Sequence, residues 1–178
     1  LSSMKKLFRD LLKALGEDPS RAGLKKTPVR AAEAMKFLTS GYDQDLKKIV
    51  NDALYPADTK GMVIVKDIEF FSLCEHHLLP FFGKAHIGYV PGKQVIGLSK
   101  IARIVDMFAR RLQIQERMGQ EICDALASVL KPRGIGIVIG GPFNSGILAG
   151  TRKFNYEDAP ADVVARVEAI GATCREAG

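Results

Sequence analysis

Residues 61–90 read GMVIVKDIEFFSLCEHHLLPFFGKAHIGYV, and this stretch decides the architecture. Met62 to Leu73 is rich in Val, Ile and Phe, which suit a pleated, half-buried strand. Phe82 to Val90 alternates around His86 and Tyr89, and Pro91-Gly92 turns the chain away. Two strands joined through a short polar connection predict an antiparallel pair. That connection carries Cys74-Glu75-His76-His77 and is closed by Pro80.

Upstream, residues 4–15 (MKKLFRDLLKAL) place Leu7, Leu11, Leu12 and Leu15 at helical spacing, and Gly16 suits a stop. Thr27 can cap a second helix over 28–40, with Pro28 at its first position and Gly41 at its end. A short third helix over about 45–54 is broken by Tyr55-Pro56. Downstream, Ser99 is expected to cap a helix running to about Gln113, and another covers about 115–130. Gly134 to Ile139 is an apolar strand, and Ile147 to Phe154 can pair with it after the Asn144-Ser145-Gly146 turn. Val163, Val164, Val167 and Ile170 share one face of a last helix.

Helices, two strands, two helices, two strands and a helix give an α+β class, not strict alternation. The expected form is a four-stranded, largely antiparallel sheet with two helices between the strand pairs. Residues 1–56 form an N-terminal helical region and 57–178 the sheet domain, together one functional unit. A sheet with so little chain around it leaves edges to cover, which favours a homo-oligomer.

A chain of 178 residues with 47% hydrophobic and 26% charged residues is long enough for one buried core. No apolar run approaches the roughly 20 residues that cross a bilayer, so a cytoplasmic protein without a membrane partner is expected. Cys74, Cys123 and Cys174 are widely spaced and odd in number, which argues against a disulfide framework. The net charge of +6 favours an anionic partner. Nucleic acid is not expected, because 7% aromatic residues offer no stacking stripe.

Three segments carry chemistry. Thiolate and imidazole from Cys74, His76 and His77 are donors that Zn²⁺ prefers. The competing reading makes Cys74 a small buried hydrophobe and the histidines surface residues. Adjacent strand side chains point to opposite faces, so Cys74 and His77 meet only if the backbone turns. Ser99 and Lys100 at a helix start, with Arg103 one turn on, suit a phosphate, or else a solvated basic face. Gln115 and Glu116 lie at a helix boundary, where a carboxylate can accept from a guanine edge; charged helix turns are also ordinary surface.

Together the motifs resemble the GTP cyclohydrolase I family. The pattern runs through Arg21-Ala22-Gly23-Leu24, Thr27-Pro28-x-Arg30, Cys74-Glu75-His76-His77-Leu78-Leu79-Pro80-Phe81, Gly83-Lys84, Tyr89-x-Pro91, Gly97-Leu98-Ser99-Lys100 and Gln113-Ile114-Gln115-Glu116-Arg117. The resemblance implies the tunnelling fold (T-fold), with sites between subunits of a toroidal homo-oligomer, commonly a decamer. It implies opening of the GTP imidazole ring with release of formate, giving 7,8-dihydroneopterin triphosphate, a step in tetrahydrofolate biosynthesis. Cys74 and His77 would bind zinc and His76 would act as acid or base. Ser99, Lys100 and Arg103 would face the ribose and triphosphate, and Gln115 and Glu116 would hold guanine.

The pattern departs at residues 140–150. A gapless alignment puts Phe143 at the family's His position, Ser145 at a zinc-binding Cys and Ala149 at a phosphate-binding Arg. Serine is a poorer zinc ligand than thiolate, phenylalanine transfers no proton, and alanine clamps no phosphate. The alternative expectation is therefore a divergent member, acting on another purine or pterin-like substrate or serving as a nucleotide-binding regulatory subunit. Cys123 reads as a core residue of its helix, and Cys174 lies near the C-terminal end.

Overall fold

The computed structural model describes residues 2–140, together with the backbone of 153–154 and 157–158. It divides into two compact units at the Ile139/Gly140 step. Within the first unit lie helices α1 (Ser2–Ala14), α2 (Thr27–Leu38), α3 (Leu46–Val50), α4 (Leu98–Ala109) and α5 (Gln115–Leu130). The strands are β1 (Leu54–Pro56), β2 (Val63–Cys74), β3 (Pro80–Val90), β4 (Gln94–Ile96), β5 (Leu112–Gln113) and β6 (Gly134–Gly140).

The main sheet has the order β5-β2-β3-β6. β2 and β3 form the long antiparallel pair that the 61–90 stretch predicts, running from Val63↔Tyr89 to Leu73↔Pro80 with one register shift between Val65 and Ile68. Their side chains alternate. Ile68, Phe70, Ala85, Ile87 and Tyr89 are buried beneath Ile101, Ile104, Val105 and Phe108 of α4 and Met118, Ile122 and Leu126 of α5. Ile135, Ile137 and Ile139 of β6 pack against the same core. On the opposite positions, Ile64, Phe71, Phe82 and Val138 are half or more exposed. The period of two is thus filled by apolar residues on both faces, and among the described helices α4 and α5 cover the buried one.

Several boundaries differ from the sequence expectation for local reasons. Gly97, not Ser99, precedes the first turn of α4, and no side chain caps it. Thr27 is already helical, with Lys26 before it. Helix α4 stops at Ala109 instead of continuing to Gln113, because Leu112 and Gln113 leave to pair in parallel with Leu73 and Cys74. Helix α3 ends at Val50, capped by Asn51 at φ +50°, before Tyr55-Pro56, which instead joins a small antiparallel ladder, Leu54↔Ile96 to Pro56↔Gln94. Two- and three-residue strands carry no periodicity that could announce them.

Gly16 closes α1 at φ +82°, a backbone conformation open to glycine at no steric cost. No residue of α1 is buried; Leu7, Leu11 and Leu15 are at least half exposed, and the helix packs against α2. In the second unit, β7 (Lys153–Phe154) pairs antiparallel with β8 (Glu157–Asp158). The expected 144–146 turn, most of the 147–154 strand and the 162–170 helix lie outside the described residues. No helix among the described residues is long and apolar enough to cross a membrane.

Candidate functional site

The connection between β2 and β3 turns as the metal reading requires. The Cys74 amide donates to the Leu79 carbonyl at 2.8 Å, and the Leu78 amide donates back to the Cys74 carbonyl at 2.8 Å. Leu78 closes this turn at φ +56°. One helix-like turn puts residues three apart on the same side, so the strand alternation no longer separates Cys74 from His77. Cys74 Sγ lies 3.6 Å from His77 Nδ1 and 3.9 Å from His76 Nδ1. The two imidazoles meet edge to face, with ring centroids 6.1 Å apart.

These two donors fit one edge of a tetrahedral zinc site. Zn–S and Zn–N bonds of about 2.3 and 2.05 Å, opened to the tetrahedral angle, hold sulfur and nitrogen about 3.5 Å apart. The observed separation matches without any rearrangement. Among the described residues no group of three or more His, Cys, Asp or Glu could complete a metal cage. Phe143, Ser145 and Ala149, the positions where the pattern departs, lie outside the described residues.

The loop is tied to the start of α5. The Glu75 amide donates to the Gln113 carbonyl at 3.1 Å, extending the β2–β5 pairing by one bond. The Glu75 carboxylate pairs with Arg117, whose Nη2 also donates to the Leu112 carbonyl at 2.9 Å and whose Nε donates to Gln113 Oε1 at 3.2 Å. Hydrogen bonding to Glu75, then its charge, pushes the Arg117 pKa above its ordinary value. Gln113 is 1% exposed, and its Nε2 donates to the Phe108 carbonyl at 3.0 Å and Glu121 Oε2 at 2.8 Å.

A cleft of about 420 Å³ opens along this network, lined by Tyr42, Glu75, Arg111, Leu112, Gln113, Arg117 and Glu121. Arg111 lies over the Phe108 ring at 4.6 Å and the Tyr42 ring at 5.7 Å. The sequence reading passed over Glu75, Glu121 and Arg117 as site residues. The available signal was the four-residue spacing of Arg117 and Glu121, which places them on one face of α5.

The remaining expected site residues fall elsewhere. Ser99 and Arg103 are exposed on the first turns of α4 and Lys100 is half-buried; among the described residues their side chains have no hydrogen-bond or ion-pair partner. Gln115 and Glu116 form the first turn of α5. Glu116 is exposed, and Gln115 Nε2 donates to the Ile139 carbonyl at 3.1 Å. None of these five lines the 420 Å³ cleft. His86, the third histidine, accepts the Asp67 amide at Nδ1 (3.2 Å) beside the β2 bulge, away from the Cys74 turn.

The family model described as GTP cyclohydrolase I matches residues 4–154. This chain belongs to the GTP cyclohydrolase I family. Its similarity to "GTP cyclohydrolase 1" of Leptospira biflexa is 52% identity over 154 residues, covering 86% of this chain and 84% of the relative. The protein of that name from Methylococcus capsulatus is 54% identical, with 86% and 83% covered. That from Rattus norvegicus is 50% identical over 87% of this chain and 64% of its own length. With the family fixed, the α+β arrangement of paired strands around two helices is the tunnelling fold. A crystal structure of the archaeosine synthase QueF-Like in the apo form overlaps 46% of this chain and 81% of its own, with a TM-score of 0.44 and 15% identity; the family assignment does not depend on that overlap.

Proposed function

We propose that this GTP cyclohydrolase I family member is a zinc-dependent hydrolase that opens the imidazole ring of GTP, releases formate and yields 7,8-dihydroneopterin triphosphate. The observation that carries the reading is the 3.6 Å approach of Cys74 Sγ to His77 Nδ1 on a turn bonded to Gln113 of β5 and paired through Glu75 with Arg117 of α5. Cys74 and His77 are the residues that hold the metal. Bound zinc supplies a water-derived nucleophile at neutral pH, since it lowers the pKa of water to about 7.

The protein's own groups do the rest. His76, exposed at the same turn, transfers a proton to or from the reacting purine, help worth about 10²–10⁴-fold in typical cases. Glu116 accepts from the guanine ring N–H and exocyclic amine, and Gln115 orients the base beside it. Lys100, Arg103 and the Ser99 hydroxyl at the start of α4 hold the triphosphate, where the helix N-terminus adds positive potential. The net charge of +6 draws a polyanionic nucleotide to the protein.

Exposure of the apolar positions Ile64, Phe71, Phe82 and Val138, and of the α1 leucines, supports a homo-oligomer, decameric by family resemblance. Copies packed on those faces would bring the separate α4, α5 and turn residues to shared sites.

Formate release from GTP with one zinc per chain is the deciding measurement. Activity abolished by Cys74→Ala and by His77→Ala, with zinc lost in both, is the expected result. Stoichiometric zinc without formate points instead to the divergent reading, in which the changes at Phe143, Ser145 and Ala149 redirect the site to another purine or pterin-like substrate.

A further inference from the structure

We propose that Arg117 is the positioning residue for the Cys74/His77 turn, acting through Glu75 to hold that turn in register with the first turn of α5. This rests on the reading of Cys74 and His77 as the metal-holding pair. The geometry is that of a hub. One guanidinium on α5 reaches the loop through the Glu75 carboxylate, strand β5 through the Leu112 carbonyl, and the buried Gln113 through Oε1. Glu121, one turn further along α5, sits 3.9 Å from Arg117 Nε and accepts from the same Gln113 at 2.8 Å. The far end of the hub is anchored in the core, because Gln113 is almost wholly buried and also donates to the Phe108 carbonyl.

What the hub controls follows from sequence adjacency. Glu75 is flanked by Cys74 on one side and His76-His77 on the other, and Arg117 directly follows Gln115-Glu116. A single ion pair therefore joins the turn carrying the sulfur and nitrogen donors to the turn carrying the base-holding amide and carboxylate. The backbone link from the Glu75 amide to the Gln113 carbonyl ties the loop to β5, and the Glu75–Arg117 contact adds the side-chain link from the loop to α5. A guanidinium suits this role because its planar fork can serve several acceptors at once, which an ammonium cannot do in fixed directions.

Both partners are about one-third exposed or more, at 41% and 31% of their side-chain surface. Such pairs contribute little to overall stability. A role in positioning and a role in stability consequently separate in experiment. Groups that orient metal ligands from outside typically change metal affinity by about 10–100-fold when removed.

The test is zinc affinity, measured by chelator competition on the full chain, with thermal unfolding alongside. Arg117→Met and Glu75→Gln should each weaken zinc binding by about tenfold or more. The double variant should be no weaker than the worse single one, because both remove the same link. Arg117→Lys should fall between. Ile122→Val, a core change on the same helix, should lower the melting temperature and leave zinc affinity alone. Unchanged zinc affinity in folded Arg117→Met, or an equal loss in Ile122→Val, would overturn the assignment. If Cys74→Ala binds zinc as tightly as the unaltered chain, the metal-site reading itself fails, and this inference goes with it.

Discussion

The Gly41 amide donates to the Arg110 carbonyl at 2.9 Å, and the Gly41 α-carbon lies so close to α4 that a Cβ there would sit 1.9 Å from the Met107 carbonyl oxygen. The contact locks the segment after α2 onto the last turn of α4, where the chain leaves the helix for β5. Tyr42 continues the brace by accepting the Leu112 amide at 3.0 Å, and Arg110 lies 4.5 Å over the Phe37 ring. Since β5 pairs with Cys74, this junction supports the turn at the candidate site.

Gly41→Ala should therefore destabilise the fold. The clash is with backbone, which cannot swing aside as a side chain could, so the cost falls at or above the usual overpacking range of about 1–3 kcal/mol. For a chain of this length that corresponds to a drop in melting temperature of roughly 2–4 °C per kcal/mol. A variant that melts with the unaltered protein would show that the α2–α4 junction yields more easily than the geometry states.

The long elements, and the segment that brings Cys74 close to His77, were legible because their signals are local. The 61–90 stretch announces two strands by composition, and Val63↔Tyr89 pairing follows from a short connection. That Cys74 and His77 could meet was readable only as a condition, that the backbone turn; the turn itself depends on Leu78 adopting positive φ, which no pattern in the sequence requires. The Glu75–Arg117 pair spans 42 positions, and a contact of that range leaves no periodic trace. The Ser99 cap failed for a different reason. A serine one position inside a helix looks identical in sequence to one that caps it, and Gly97 took the role with no side chain at all. Where α5 begins was correctly expected, but the cleft beside it opens toward Gln113 and Arg117, not toward Gln115 and Glu116.

Asp67 gives a pH signature outside the site. It occupies the β2 bulge at φ +58°, and hydrogen bonding to Lys84 Nζ at 3.1 Å, then the charge of Lys84, holds its carboxyl below the usual aspartate value. A lowered folded-state pKa means the stabilisation is present above the unfolded value of about 3.9 and is lost as pH falls through the folded value. Asn tolerates positive φ, so Asp67→Asn removes the charge while keeping the backbone. Urea midpoints should place the unaltered chain slightly above the variant near neutral pH, with the two converging in acid. Equal midpoints at pH 7 would mean the exposed pair contributes nothing.

Cys123 should be a slow thiol. Its side chain is partly buried on α5, and burial, followed by the neighbouring Asp124 charge, pushes its pKa up. Only the thiolate attacks an alkylating agent, so at pH 7 it should react with iodoacetamide more slowly than a free cysteine does. The rate should climb as pH passes the ordinary thiol range. Mass spectrometry of peptides after timed labelling reads this directly. Labelling of Cys123 at the rate of free cysteine would remove it from the helix interior and reopen it as a candidate ligand.

Ser145→Cys tests the departure from the family pattern with the metal itself as readout. In the proposed site Cys74 and His77 would supply one edge of a tetrahedron, and gapless alignment puts Ser145 at the position where the family resemblance implies another thiolate. A neutral hydroxyl is a weak donor to zinc, whereas a cysteine brought to the metal ionises and binds as thiolate. The substitution should therefore raise zinc affinity at least about tenfold, equivalent to roughly 1.4 kcal/mol, and the gain should vanish when combined with Cys74→Ala. Chelator competition measures it, and formate release reports whether the restored ligand also restores turnover. Zinc content unchanged in a folded Ser145→Cys protein would place the third donor elsewhere in the chain, because a thiolate at the metal cannot leave its affinity where a hydroxyl had set it.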